Sequence, residues 1–163
     1  MEQKSTDALV KASAFANGLR KNTTGAGKRW IQWPGGANDL AQVVAVIDGI
    51  QLRLAQAPNA DDREGAVAEC ISDLRAALEW TTYQSASVAT ARAVAFARKT
   101  RAFAERFGLL DGPAAGLALL TDSETALIEN VRTKNAYMLA LAERCPHLEL
   151  PRPLVDAEVL TRN

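Results

Sequence analysis

The chain has a single histidine, two cysteines and no formal net charge, and each scarcity removes a class of function. His147 stands beside Cys145-Pro146, and neighbours around a proline rarely face each other, so a cysteine–histidine nucleophile is not expected. There is no Cys-x-x-Cys, His-x-x-x-His or Glu-x-x-His spacing, so neither a zinc site nor a di-iron bundle site is expected, and no cofactor is implied. Cys70 and Cys145 lack paired spacing and suit a reducing compartment, although two cysteines are enough for one disulfide. With zero net charge, attraction to an anionic partner has to come from local patches. No apolar run approaches a membrane span, the longest being Ala114 to Leu120, and Met1 to Asp7 carries no secretory signal. A cytoplasmic protein with no membrane role is the expectation.

Proline and glycine are both missing from Ala66 to Phe107, and β-branched or aromatic runs are scarce throughout while alanine is abundant. At 163 residues and 48% apolar composition, the chain suits one domain with a sizeable core. The six prolines all fall between helical patterns. These features predict a single all-α domain over residues 1–163. It is a bundle of about five helices, with one long or kinked central helix at about 62–107 and an extended C-terminal tail.

The first pattern, about Asp7 to Leu19, places Ala8, Leu9, Ala12, Phe15, Ala16 and Leu19 on one stripe, with Ser5 or Thr6 as cap. Residues 21–37 read as a basic, tryptophan-containing loop in which Trp33-Pro34-Gly35-Gly36 has the order of a type II turn. Gly25-Ala26-Gly27-Lys28 resembles half a phosphate-binding loop, but Asn22 and Arg29 occupy positions that need glycine and Ser/Thr. Asn38 is placed to cap a second helix running to about Gln56, and Gly49 within it is a candidate for close helix contact.

Asp61 with Glu64 resembles a capping box for the central helix, whose first half carries Val67, Cys70, Ile71 and Leu74. Thr81 to Ser87 is rich in side chains that compete for backbone hydrogen bonds, so a joint there is as well supported as a continuous rod. Beyond it Ala89, Ala93, Phe96, Thr100, Phe103 and Phe107 share one side, read as the continuing core face. Gly112-Pro113 opens a short segment, Thr121 with Glu124 reads as a second capping box, and a helix then runs to Pro146. The tail, 146–163, holds Pro151 and Pro153, with Leu148, Leu150, Leu154, Val159 and Leu160 available for docking.

Charge is sorted along the central helix. Asp61, Asp62, Glu64, Glu69, Asp73 and Glu79 crowd its start against Arg63 and Arg75. Arg92, Arg98, Lys99, Arg101 and Arg106 crowd its end against Glu105, which is spaced to pair with Arg101. Arg92, Lys99 and Arg106 recur every seven residues, a stripe able to track a phosphate backbone or simply to snorkel beside apolar neighbours. Arg20, Lys21, Lys28 and Arg29, with Trp30 and Trp33, supply charge and stacking for a single strand, unless both tryptophans fold inward as a lid on the core.

These residues point to a non-enzymatic assembly subunit that self-associates and contacts the backbone of RNA or single-stranded DNA. The complementary acidic and basic patches fit a homo-oligomer or larger assembly. The alternatives are a helical protein-interaction adaptor without nucleic-acid binding, and an enzyme with a bundle pocket lined by perturbed carboxylates.

Overall fold

The computed structural model describes residues 2–108 and 115–162. Five α-helices run in chain order through them: α1 (Glu2–Trp30), α2 (Gly36–Gln56), α3 (Arg63–Arg106), α4 (Ala115–Arg144) and α5 (Ala157–Arg162). Short 3-10 turns follow α2 at Ala57–Asn59 and α4 at Pro146–Leu148. No strand occurs among the described residues. The all-α bundle and the long central helix are as the sequence predicts.

Cross-links fix the directions of the helices. Arg20 pairs with Asp48, and Gln51 donates to Asn17, so α1 and α2 are antiparallel. Arg53 reaches Asp73 and Gln84 reaches Asp39, which sets α2 antiparallel to α3. Ser87 meets Asn135 and Arg98 meets Glu124, which sets α4 antiparallel to α3. α1 therefore lies parallel to α3, its start near Val67 and its end near Arg92.

The expected basic loop is largely helix. α1 continues to Trp30 because its buried stripe does not stop at Leu19: Ala12, Ala16, Leu19, Thr23, Gly27 and Trp30 keep three- and four-residue spacing. Two glycines cost this segment roughly 1 kcal/mol each in helix propensity, and burial of Trp30 outweighs that cost. A Cβ on Gly27 would lie 2.2 Å from Leu40 Cδ1, so glycine permits the close approach of α1 and α2.

The turn expected at Trp33–Gly36 is present. Gly36 N–H donates to Trp33 C=O at 2.9 Å, and Gly35 has φ 82° and ψ −7°, the third position of a type II turn. α2 begins there, two residues before Asn38. Gly49, by contrast, has open space where a Cβ would sit, so it marks no close contact.

α3 is one continuous helix of 44 residues, with no break at Thr81–Ser87. The competing side chains are satisfied without one. Thr81 and Thr82 hydroxyls donate to the carbonyls of Ala77 and Leu78, both at 2.8 Å, and Ser87 bonds across to Asn135. Its cap is Asp62, one residue after the expected Asp61, accepting from Gly65 N–H at 3.0 Å.

α4 is helical from Ala115, so Thr121 lies inside it and starts nothing. The expected opening at Gly112-Pro113 lies outside the described residues. At the other end of the chain, α1 likewise starts before Ser5 and Thr6.

The core is sealed by the tail. Leu148, Leu150, Val155 and Ala157 are buried, and Trp80 donates its indole N–H to Pro151 C=O at 3.1 Å. Trp30 meets Trp80 edge-on, with centroids 5.7 Å apart and an interplanar angle of 84°. Instead of lying extended to its end, the tail turns into α5, and Arg132 of α4 pairs with Glu158 there.

Candidate nucleic-acid interface

The basic residues divide into those used by the fold and those left facing out. Arg98 and Arg101 belong to the fold. Their guanidinium groups donate to opposite oxygens of Glu124, at 2.6 and 2.7 Å, and Arg98 also donates to the Leu160 carbonyl. The three side chains are largely buried, so this is an interhelical clamp between α3 and α4. Arg101 pairs with Glu124 of α4 at 2.7 Å and not, as expected, with Glu105 of its own helix, which is solvent-exposed and could offer only a weak, screened pair.

Arg20 is held by Asp48 at 2.7 Å, a pairing that raises its pKa through the hydrogen bond and then through the charge itself. Trp30 is fully buried, and Trp33 is half-buried against the core. Trp30 therefore closes the core, and stacking on bases is denied to it.

Arg29 and Arg92 behave differently. With α1 helical to Trp30, Arg29 projects beside the middle of α3, and the two arginines line one groove of about 410 Å³. Gly25, Ala26 and Trp30 form its α1 wall; Ser85, Val88 and Ala89 form its α3 wall. No carboxylate lines it. Arg92 donates to the Arg29 backbone carbonyl at 3.0 Å and to Gln32 Oε1, so its guanidinium is fixed at the groove's end. The Trp30 indole N–H, in the wall, has no hydrogen-bond partner among the described residues.

Arg29 has no ion-pair partner among the described residues, nor do Lys21, Lys28, Lys99 or Arg106. Lys21 and Lys28 are exposed on α1, four residues before and three after Gly25. Lys99 and Arg106 continue along α3 from Arg92, with Arg106 over the Phe107 ring at 5.6 Å. A wall of donors without acids is suited to an anionic group, phosphate included.

The Phe96–Phe107 stripe is not core. Phe96, Phe103 and Phe107 are 73%, 57% and 58% exposed. Ser85, Ala89, Arg92, Phe96, Phe103 and Phe107 lie in one helical lane; α1 covers the first part and ends with Trp30 at the level of Arg92.

A second cluster forms where nothing in the sequence pointed, because its members come from three separate segments. Asp73, 5% exposed, accepts from Arg53 at 2.5 Å through one oxygen and bonds His147 Nε2 at 2.9 Å through the other. Glu69 and Ser72 share its cleft, about 420 Å³. Both Asp73 oxygens are occupied by side chains that fasten α2 and the tail to α3, so the cluster works as a tie. Among the described residues no group of histidine, cysteine and carboxylate ligands is placed to hold a metal. Cys70 is a buried core residue whose thiol pKa is raised mainly by burial. No described helix is long and apolar enough to cross a membrane.

The chain matches no family model, no curated protein and no solved structure.

Proposed function

We propose that the protein is a non-enzymatic helical subunit that self-associates and holds nucleic-acid backbone, RNA or single-stranded DNA, at the groove between α1 and α3. The observation that carries this reading is the convergence of Arg29 and Arg92, from segments 63 residues apart, on one groove lined by no acid. Lys21 and Lys28, both exposed, extend the positive rim on α1. Arg20, Arg98 and Arg101 have carboxylate partners within the fold, and Trp30 supports the groove from inside. Two free cysteines and the absence of a described membrane-spanning helix are compatible with a cytoplasmic site of action.

Backbone contacts of this kind release counterions, so binding weakens as salt rises. The test is anisotropy of labelled single-stranded RNA and DNA titrated with protein over a range of salt. Arg29→Ala and Lys28→Ala each lower the slope of log affinity against log salt by about one. Absence of binding at low salt, or a slope unchanged by both substitutions, refutes the reading. The exposed phenylalanines favour a second reading, a protein-binding adaptor, for which the same titration shows no binding while the chain still associates with protein.

A further inference from the structure

We propose that copies of this chain join head to tail, the phenylalanine face of one α3 seating in the acidic-rimmed grooves at the start of α3 in the next. The inference rests on the self-association half of the reading above and is independent of nucleic acid.

Phe96, Phe103 and Phe107 are more than half exposed, and the rings of Phe103 and Phe107 touch with centroids 4.6 Å apart. Three such neighbours form an apolar patch with no covering element among the described residues, in the lane that α1 leaves vacant beyond Arg92. Lys99 and Arg106 edge that patch, and neither has a carboxylate partner among the described residues.

The opposite end of α3 offers the complement. A groove of about 250 Å³ is walled by Ala8, Val67, Ala68 and Ile71, with Glu64 and Lys4 also lining it. A smaller one, about 180 Å³, is walled by Ala57, Ala60, Ala66 and Cys70 with Gln56, Glu69 and Arg53, whose guanidinium is already paired with Asp73. Asp61 and Asp62 are exposed next to them. Small apolar walls with carboxylates at the rim suit phenyl rings flanked by cations.

The two patches sit at opposite ends of a helix of 44 residues, so they cannot satisfy each other within one molecule. Pairing two phenylalanine faces antiparallel about a two-fold axis puts Lys99 and Arg106 of both copies along the same side of the seam, where they repel. Joining unlike ends removes that repulsion. Such a contact is heterologous, and repetition gives a ring or a filament.

The test is sedimentation velocity of the nuclease-treated full chain over a range of concentration and salt. Mass is expected to rise beyond a dimer with concentration and to fall with salt. Phe96→Ser with Phe103→Ser abolishes the association while circular dichroism stays unchanged, both residues being exposed. Lys99→Glu with Arg106→Glu, and separately Glu64→Lys with Glu69→Lys, each abolish it alone; mixing these two variants restores it. A chain that is monomeric throughout overturns the proposal. So does a discrete dimer indifferent to Glu64 and Glu69. Because nucleic acid is absent, neither outcome bears on the salt titration of RNA or DNA binding.

Discussion

Trp80 donates its indole N–H to the carbonyl of Pro151 at 3.1 Å, joining the middle of α3 to a tail residue 71 positions later. The same ring packs edge-on against Trp30, so one side chain ties together α1, α3 and the tail. Trp80→Phe keeps an aromatic ring, removes the donor and leaves the Pro151 carbonyl unpaired. The expected loss is about 2–3 kcal/mol by urea unfolding. Hydrogen exchange should quicken over 146–162 before it does over α1.

The interhelical clamp makes a sharper demand. Glu124 is the shared carboxylate of Arg98 and Arg101, and all three are largely shielded from water. Glu124→Gln leaves two partly buried cations without their counter-charge and should cost about 2–4 kcal/mol. Arg98→Met and Arg101→Met, combined with Glu124→Gln in double-mutant cycles, should show strong coupling, whereas Glu105→Gln should be close to neutral. A large effect at Glu105 would mean that Arg101 pairs along its own helix in solution.

Three glycines should respond in opposite directions. Gly18 and Gly49 lie in helices with open space around a Cβ, so Gly18→Ala and Gly49→Ala should each stabilise by about 0.5–1 kcal/mol. At Gly36 a Cβ would meet the Trp30 carbonyl oxygen at 1.7 Å, a backbone atom that cannot step aside. Gly36→Ala should lower the melting temperature sharply. Thermal melts of the three variants decide this.

Burial of Asp39 pushes its pKa up to about 6 from 3.8. The folded state therefore holds this proton where the unfolded chain has already released it. Its contribution to stability is greatest below about pH 4, falls as pH rises towards about 6, and is constant above that. Asp39→Asn removes this pH dependence and, allowing for the part of the side chain that water reaches, should stabilise the protein at pH 8 by about 1 kcal/mol. The difference between variant and parent across pH 4–8, measured by urea unfolding, isolates the group from other carboxylates.

Much of the fold was legible because α2 and the first half of α3 carry apolar residues at helical spacing, and their ends carry proline and acidic caps. The end of α1 was hidden because its buried positions are Thr23, Gly27 and Trp30, only one of which looks apolar. Gly27 reads as loop when it is room for Leu40. The aromatic stripe at Phe96–Phe107 showed its periodicity plainly, yet periodicity does not say whether a neighbouring helix reaches that far. Of the candidate site, the segregation of charge was visible, but the partners were not. Glu124 lies 26 residues from Arg98 and 23 from Arg101, and only the antiparallel return of α4 brings them together. The meeting of Arg29 with Arg92 depends likewise on α1 and α3 running parallel.

The late position of the tail has a consequence for biosynthesis. Trp80, Gln84 and Asp73 are translated long before Pro151, Leu154 and His147, their partners. The emerging chain can pair α1 with α2, and α2 with α3, through contacts nearer in sequence than those of the tail, a route that favours rapid collapse. Until residues 147–154 leave the ribosome, however, the indole N–H of Trp80 and the side of α3 around it stay open to water and to other chains. A stalled or truncated product would thus carry a nearly complete but unsealed bundle, the kind of intermediate that chaperones hold and proteases clear.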